Sequence, residues 1–497
     1  MNLNIKKNIK LSEMQIFFLF VSNIAILSAI VQWLGLPSID HDELEAVRWG
    51  ATKSWFVDKH PPFVGFIAFW WAELTGYSNL AFFLLSKINA ILALLVIYKL
   101  NKYFLTSKLS LIATASYAST YIYVTLMSQM DANGILHALW PLLLLFLWKA
   151  LNSQQLLIWI ILGILSSICI LAKYQSGLIL FTGLIFILSC KAYRPQFFTF
   201  NFILSLVVFL MILSPHLSGF FDYGYSMLDR VSSRAQTQNY FEGRWSVLPF
   251  IFNQMLISLF GFYILFWSIR KNITFDHLNK NDSKSVFLLF FGLILPTLPI
   301  FFSIITGMAI LGSWGITSWF MLPTLLLYLT KKTDLRLSLK PYYFFVPIYL
   351  CLMLAIIILN NFFDLARPTN IPKAMQNIEE KWLEKIPKPI HTVITNSRPA
   401  QGMVFYSKSK PLIINSIKGE DPSEFQWILD KNKCTTGPTI IITETNIEGK
   451  NFFDKLISKT GPPTFLDESS AKGNMHKITR SKSLKFKIAG FDDGICL

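Results

Sequence analysis

The chain has 497 residues, of which 53% are hydrophobic and only 15% are charged, and its mean hydropathy is +0.47. This composition excludes an ordinary soluble domain and indicates a polytopic membrane protein. The formal net charge of +16 would suit a nucleic-acid-binding protein, but the basic residues separate long apolar runs, as loop charges do in membrane proteins.

The first apolar run extends from about residue 14 to residue 34 and follows three lysines, Lys6, Lys7 and Lys10. A basic start resembles a signal peptide, but the run is too long for one and lacks an Ala-x-Ala cleavage site. We therefore predict a retained first membrane span with its basic end in the cytoplasm.

The outer loop 36–79 after this span carries four carboxylates within six residues, at Asp40, Asp42, Glu43 and Glu45. A carboxylate at a membrane surface costs free energy unless it is hydrated, paired with a cation or part of a functional site. In a functional site it can accept a proton from a hydroxyl group. On a helix that begins near Asp42, Glu45 would lie one turn further on and face the same side. A hydrated loop whose acids cap a helix explains the same residues, so both interpretations stay open.

A second polar cluster follows at Lys59 and His60, directly before Pro61 and Pro62. Its cation could hold an anionic headgroup, although a lysine at a membrane interface often only reaches towards water. The next apolar run, 63–74, has 12 residues and is too short to cross a bilayer. We predict that it forms a helix lying in the membrane interface.

Ten further apolar runs complete the membrane part. They extend over about 80–98, 109–127, 134–151, 156–172, 177–190, 197–216, 246–268, 285–304, 310–330 and 341–360. With the first run they give 11 predicted α-helical spans, which places the two termini on opposite sides of the membrane. The proposed inner loops hold 17 Lys and Arg residues and the proposed outer loops up to residue 313 hold 7, which favours an inner N-terminus and an outer C-terminus.

The sequence changes character after residue 360, so we predict a membrane domain, 1–360, and a small outer domain, 361–497. Strand-like and helix-like segments alternate there in the order 391–396, 400–406, 411–415, 424–430 and 439–445. This alternation predicts a soluble α/β domain with a partly parallel sheet. Cys434 and Cys496 lie in this domain, and we expect them to be bonded to each other or both free.

Further polar groups fall at the predicted outer ends of later spans. They are Asp131, Lys173, Tyr174, His216, Arg230 and Arg234. Arginine suits phosphate because its guanidinium makes bidentate hydrogen bonds, but Arg230 and Arg234 would equally suit an exposed helix face. His41, His60 and His216 lie near the same surface, so a divalent metal is conceivable, but their spacing is unspecific and we predict no cofactor.

The order of several short motifs resembles membrane glycosyltransferases of the GT-C class, and most of all the aminoarabinose-transferase and protein-mannosyltransferase-like group. The motifs are Asp42 to Trp49, Lys59-His60-Pro61-Pro62, Ala172-Lys173-Tyr174, Ser214-Pro215-His216, Gly312 to Trp319, and Arg398-Pro399-Ala400 with Phe405-Tyr406. Each motif is weak alone, but together they cover most of the chain in order and lie on one predicted side of the membrane. Where the close relatives have Lys-Pro-Pro, this chain has His60-Pro61-Pro62.

The resemblance implies an inverting transferase that moves a sugar from a polyprenyl (undecaprenyl) phosphate to a hydroxyl or phosphate of lipid A or lipopolysaccharide. It implies a monomer in the bacterial inner membrane with a periplasmic C-terminal domain and lipid partners, without nucleic acid. The expected base is Asp42, with Asp40 as the alternative and Glu43 beside them. The expected phosphate ligands are Lys59, His60, Lys173, Arg230 and Arg234, and the expected substrate contacts are Glu45, Asp131, Tyr174 and His216.

Three other functions fit parts of the sequence. A protein O-glycosyltransferase would use the same chemistry on protein hydroxyls. A transporter or flippase for a lipid-linked sugar would favour charges within spans and two related halves, neither of which the sequence displays. A receptor or assembly subunit would explain the outer domain but not the acidic loop. The sequence has no P-loop, HExxH or GxSxG motif, so ATP-driven transport and serine or zinc hydrolysis lack support.

Overall fold

A computed structural model gives the structure of the protein. It describes residues 12–57, 60–120, 129–235, 244–269, 281–330, 370–415, 434–471 and 484–496, with 279, 347–348, 351–352, 355 and 359 as isolated positions. The side chains of residues 220, 222–235, 268–269, 415 and 470–471 also lie outside this description. The described part is mainly helical, with one five-stranded sheet near the C-terminus.

The N-terminal part consists of helices. They are α1 (Glu13–Gly35), α2 (His41–Ala51), α3 (Phe63–Thr75), α4 (Asn79–Asn101), α5 (Ser107–Ala118), α6 (Leu136–Ser153), α7 (Leu156–Ala172), α8 (Gly177–Ser189), α9 (Phe200–Ala235), α10 (Val247–Ile269), α11 (Ser283–Leu289), α12 (Leu295–Thr306) and α13 (Leu322–Leu329). A π-helical turn, Phe290–Ile294, joins α11 to α12.

Among the described residues, six helical segments are long and apolar enough to cross a membrane. They are 13–35, 79–101, 136–153, 200–219, 247–267 and 283–306. Four shorter apolar helical segments accompany them. The fold is therefore that of a membrane protein with several spans, whereas the count of 11 spans and their orientation remain predictions.

The predicted span over 310–330 is not one continuous helix. It forms two 3₁₀ turns, Gly312–Trp314 and Trp319–Met321, before α13 begins. The glycines of this stretch let the backbone pass close to α10, because a Cβ on Gly315 would lie 2.6 Å from the side chain of Gln254. Hydrophobicity alone predicted a span here, and the irregular backbone depends on that close contact.

Two other predicted spans are described only in part. The run 109–127 corresponds to α5, which ends at Ala118, and residues 121–128 lie outside the described residues. Most of the last predicted span, 341–360, lies outside them as well.

The helix α3 confirms the short helix predicted over 63–74. It begins after Pro62 and ends at Gly76, whose φ of +65° lies in the left-handed region that glycine tolerates best. Its 13 residues extend about 20 Å at 1.5 Å per residue, too little to cross a bilayer. Gly50 and Gly65 allow α2 and α3 to touch, since a Cβ on Gly50 would collide with the carbonyl oxygen of Gly65. The interfacial position of α3 remains a prediction.

The C-terminal part combines helices with a sheet. Its elements are α14 (Ile371–Lys385), β1 (Thr392–Thr395), α15 (Met403–Tyr406), β2 (Leu412–Asn415), β3 (Thr439–Glu444), α16 (Ile447–Thr460), β4 (Phe465–Ala471) and β5 (Leu484–Phe491). The strand order is β2-β1-β3-β5-β4. β1 pairs in parallel with β2 and β3, while β5 pairs antiparallel with β3 and β4, so the predicted partly parallel sheet is present.

The three predicted strand segments match β1, β2 and β3. The helical pattern over 400–406 corresponds to a 3₁₀ turn, Pro399–Gly402, followed by α15, and the pattern over 424–430 lies outside the described residues. Strands β4 and β5 were not predicted. β4 contains the polar run Asp467-Glu468-Ser469-Ser470, which is typical of a loop until the neighbouring β5 supplies its hydrogen-bond partners.

One hydrophobic core connects the membrane helices with the C-terminal part. Its buried residues come from helices such as α1, α4 and α6 and also include Met375 of α14 and Phe405 of α15. A smaller cluster with Phe452 and Phe453 of α16 fills the other face of the sheet. A disulfide joins Cys434 to Cys496 in this part. The C-terminal part is thus docked on the helices, and its predicted boundary at residue 361 lies outside the described residues.

Candidate active site

The acidic stretch that follows the first helix forms the start of α2. Asp40 is the N-cap, and its Oδ1 accepts a hydrogen bond from the backbone N of Asp42 at 2.9 Å. Such a cap satisfies one of the amides that a helix leaves unpaired in its first turn. Asp42 lies in that first turn and its side chain is exposed. The capping interpretation therefore holds for Asp40 and leaves the carboxylate of Asp42 at the surface.

Glu43 is buried, with 1% of its surface exposed. Its Oε2 accepts from the backbone N of Asp40 at 2.9 Å, which completes a capping box. Its Oε1 accepts from the backbone N of Met130, also at 2.9 Å. Because both carboxylate oxygens are engaged, Glu43 ties the start of α2 to the segment before α6. It is well placed to position its neighbours and poorly placed to take a proton from a substrate.

Asp131 organises the segment before α6. Its Oδ1 accepts from the backbone N of Asn133 at 3.0 Å and of Gly134 at 2.6 Å, and its Oδ2 accepts from the Asn133 side chain at 3.1 Å. An aspartate that bonds the amides following it holds a tight turn. Met130, the partner of Glu43, directly precedes this turn, so the turn lies next to the start of α2.

Lys173 reaches the same turn from the end of α7. Its ammonium group donates a hydrogen bond to Oδ1 of Asn133. Burial lowers the pKa of Lys173 to about 8, against the opposing effect of the Asp131 carboxylate. A desolvated cation interacts with an anion more strongly than an exposed one does. The structure therefore brings Asp131 and Lys173 together beside α2.

Tyr174 and His216 form a second polar pair. The Tyr174 hydroxyl lies 2.6 Å from Nε2 of His216, and Nδ1 of His216 lies 2.6 Å from the carbonyl oxygen of Trp55. Because a carbonyl can only accept, we assign the ring proton to Nδ1, and Nε2 accepts from the tyrosine hydroxyl. Burial raises the pKa of Tyr174, which keeps that hydroxyl a donor. The pair ties α9 to the loop between α2 and α3.

Glu45 lies within α2, and His60 lies shortly before α3. Glu45 Oε1 is 3.9 Å from Nη2 of Arg48, and both residues are buried. The His60 ring meets the Trp49 ring edge-on, with centroids 5.4 Å apart. Asp42 and Glu45 are one turn apart on α2 as predicted, but one is exposed and the other buried. They do not form the exposed carboxylate pair that the spacing suggested.

The chain is similar to known membrane enzymes. The sequence model of the dolichyl-phosphate-mannose-protein mannosyltransferase family matches residues 59–218. No individual curated protein matches the chain by sequence. The fold is similar to that of ArnT from Cupriavidus metallidurans bound to undecaprenyl phosphate, with a TM-score of 0.57 at 10% identity over 96% of this chain and 98% of that one. The apo structure of that protein gives 0.56 at 11% identity, over 96% and 97%.

These similarities in sequence and fold support a membrane glycosyltransferase of the GT-C class. The family match covers the cationic and aromatic part of the candidate site. The predicted site residues inside the match are Lys59, His60, Asp131, Lys173, Tyr174 and His216. The acidic start of α2 precedes the match, so its role depends on the geometry described above.

The chain after His216 is helical and not the outer loop that was predicted. α9 continues through Pro215 and His216 as far as Ala235. A proline inside a membrane helix removes one backbone hydrogen bond without necessarily ending the helix. Arg230 and Arg234 lie one turn apart on α9, and their side chains are outside the described residues, as is Lys59. Their contact with a phosphate stays a prediction.

Three contributors to the candidate site were not predicted: Trp55, Met130 and Asn133. Trp55 and Met130 act through backbone groups, which no side-chain pattern can identify. Asn133 is only two residues from Asp131, but the fold alone brings its side-chain amide against Lys173. Among the described residues, no group of three or more His, Cys, Asp or Glu side chains is arranged to hold a metal ion.

Proposed function

We propose that this glycosyltransferase moves a sugar from a polyprenyl phosphate to a hydroxyl or phosphate group of lipid A or lipopolysaccharide, with inversion at the anomeric carbon. One observation carries the proposal. The exposed carboxylate of Asp42 lies at the start of a helix that Glu43 ties, through Met130, to the turn where Lys173 donates to Asn133. A carboxylate and a desolvated cation are the two kinds of group that such a transfer requires.

Asp42 is the base in this proposal. Its carboxylate takes the proton of the acceptor hydroxyl while the acceptor oxygen bonds to the anomeric carbon. In the same displacement the bond from that carbon to the phosphate oxygen breaks, and the polyprenyl phosphate leaves with the electron pair. Asp40 suits this role less well, because its Oδ1 already accepts the backbone amide of Asp42.

Lys173 is the cation that the described contacts support as a ligand of the leaving phosphate. That phosphate gains negative charge as the bond breaks, and a positive charge already in place lowers the barrier without reorganisation. The family resemblance adds Lys59, His60, Arg230 and Arg234 as further phosphate ligands. Of these, His60 carries a charge only when it is protonated.

The remaining predicted substrate contacts are engaged within the protein. Glu45 pairs with Arg48, Asp131 holds its turn, and Tyr174 bonds His216. Side chains whose polar atoms already bond within the protein are better suited to shaping the substrate site than to transferring a proton. We assign them to the walls of the donor and acceptor site.

The proposed setting is the outer side of a bacterial inner membrane, with the C-terminal domain in the periplasm and a single chain as the working unit. The 17-to-7 asymmetry of loop charges supports this orientation. The similar fold of ArnT, solved with undecaprenyl phosphate, supports a polyprenyl phosphate donor. Protein hydroxyls are the second candidate acceptor, and the description of the matching family favours them.

The test uses purified protein in detergent with radiolabelled polyprenyl-phosphate sugar and two acceptors, a lipopolysaccharide extract and a Ser/Thr-rich peptide. We expect label in the lipopolysaccharide fraction, and mass spectrometry of lipid A from cells with and without the gene should differ by one sugar. Label in the peptide alone would replace the acceptor by protein. Label in neither, together with movement of the intact donor across proteoliposomes, would refute the proposal in favour of a flippase.

A further inference from the structure

Tyr406, the last residue of α15, links the C-terminal domain to the segment before α2. Its hydroxyl accepts a hydrogen bond from the backbone N of Ile39 at 2.9 Å and donates to Oδ1 of Asn79 at 3.0 Å. The Asn79 side chain in turn donates to the carbonyl oxygen of Pro37 at 3.0 Å. Two residues from distant parts of the chain thus hold two backbone polar groups of the segment that leads into Asp40, the N of Ile39 and the O of Pro37.

These bonds satisfy groups that the segment cannot satisfy itself. Residues 37–39 lie between α1 and α2 and have no helical or sheet partners, and Ile39 is fully buried. A buried backbone N–H without a partner is strongly unfavourable, so Ile39 depends on an acceptor from elsewhere in the fold. The acceptor that the structure supplies is the hydroxyl of Tyr406.

Buried aromatic rings pack next to Tyr406. Phe405 is buried and packs edge-on against Tyr77 and Phe82, with ring centroids 5.4 and 5.2 Å apart. The ammonium group of Lys410 lies 3.7 Å from the centroid of the Tyr77 ring. Aromatic and cation–π contacts of this kind add to ordinary burial. The C-terminal domain therefore packs against the turn between α3 and α4 and against the start of α4, whose first residue is Asn79.

We propose that Tyr406 is a positioning residue through which the C-terminal domain sets the start of α2 for catalysis. Glu43 anchors this start from the side of Met130, and Tyr406 anchors the segment just before it. With both anchors in place the carboxylate of Asp42 has one position relative to the acceptor. Positional freedom of a catalytic group lowers turnover steeply, because a misplacement of about 1 Å can cost about 10²-fold. The catalytic part of the inference rests on the function proposed above.

The first variant is Tyr406→Phe, which keeps the ring that packs on Phe405 and removes only the hydroxyl. We expect kcat to fall about tenfold to a hundredfold. The donor KM should stay within about twofold, because the hydroxyl contacts no proposed phosphate ligand. Tyr193→Phe is the matched control: its hydroxyl also donates to an asparagine side chain, Asn152, at 3.0 Å, outside the site. Unchanged kcat in Tyr406→Phe, or a raised donor KM with unchanged kcat, would overturn the proposal.

The second variant, Asn79→Ala, removes the acceptor of the Tyr406 hydroxyl and the bond to Pro37, and it keeps the test open if Tyr406→Phe folds poorly. The double variant should lose less than the sum of the two single losses, since the two side chains share one hydrogen bond and hold the same segment. Fully additive losses would show two independent effects and contradict the proposal.

Amide hydrogen exchange tests the link without any assumption about the reaction. In Tyr406→Phe, exchange over residues 36–44 should become faster, while exchange in α6 should not change. Unaltered exchange over 36–44 would overturn the link. If the unaltered protein transferred no sugar from any polyprenyl phosphate, the donor proposal would fail, and this exchange measurement would still decide whether Tyr406 holds the segment.

Discussion

The charge of Lys173 makes a quantitative prediction about the pH dependence of transfer. Burial lowers its pKa to about 8, and the neighbouring titratable groups are Asp131 and His137. A lysine is charged below its pKa, so the charged fraction falls from about nine-tenths at pH 7 to about one-tenth at pH 9. If the ammonium group holds the donor phosphate, kcat/KM for the donor should fall roughly tenfold over this range, because kcat/KM reports the free enzyme.

The assay measures initial rates at subsaturating donor between pH 6.5 and pH 9.5. Lys173→Arg keeps a positive charge throughout, so its profile should be flat up to pH 9 even if its rate is lower. Burial also lowers the pKa of Lys410 to about 8, and Lys410→Arg should retain the fall. A flat profile in the unaltered protein, or the same fall in Lys173→Arg, would refute the phosphate role of Lys173.

Three further perturbations address the base, the packing and the topology. Asp42→Asn removes the proton acceptor and should lower turnover at saturating donor about 10²–10⁴-fold. Asp40→Asn still caps α2 and should lose little, and the reverse order would move the base to Asp40. Gly50→Ala should cost about 1–3 kcal/mol and lower the midpoint of thermal unfolding, because its Cβ collides with α3. Gly177→Ala is the control, since a Cβ there meets no atom within 4 Å, and an equal shift in it would contradict the explanation. Alkaline phosphatase fused at Lys271 should be inactive and fused in the C-terminal domain active, and the opposite pattern would reverse the proposed orientation.

Local sequence patterns predicted the elements whose formation depends least on contacts with distant parts of the chain. The 12-residue apolar run between Pro62 and the Gly76 turn predicted α3, because its length and the proline and glycine at its two ends are properties of that stretch alone. The β-branched segments of the C-terminal domain predicted β1, β2 and β3 for the same reason. The acidic stretch predicted the start of α2, since Asp40 is a good cap wherever a helix follows.

Elements that depend on a neighbour were predicted wrongly or not at all. α9 continues through Pro215, and β4 is polar in sequence yet paired along its whole length with β5. The stretch over 310–330 is as apolar as a span, but its glycines fold it against α10. The pairing of β4 with β5 and the contact of the 310–330 stretch with α10 involve other parts of the chain and leave no local pattern.

The sequence by itself determined that this is a polytopic membrane protein with an acidic loop after its first span and a small α/β part, because composition and run length decide those properties. The tertiary structure decided which of the adjacent carboxylates is exposed. Asp40, Asp42 and Glu43 have the same chemistry and stand within four residues, so their sequence cannot separate them. Glu43 is buried where the amide of Met130 comes to it, and Tyr406 reaches Ile39 in the segment before Asp40. Hydrogen-bond partners 87 and 367 residues apart meet only after the chain has folded.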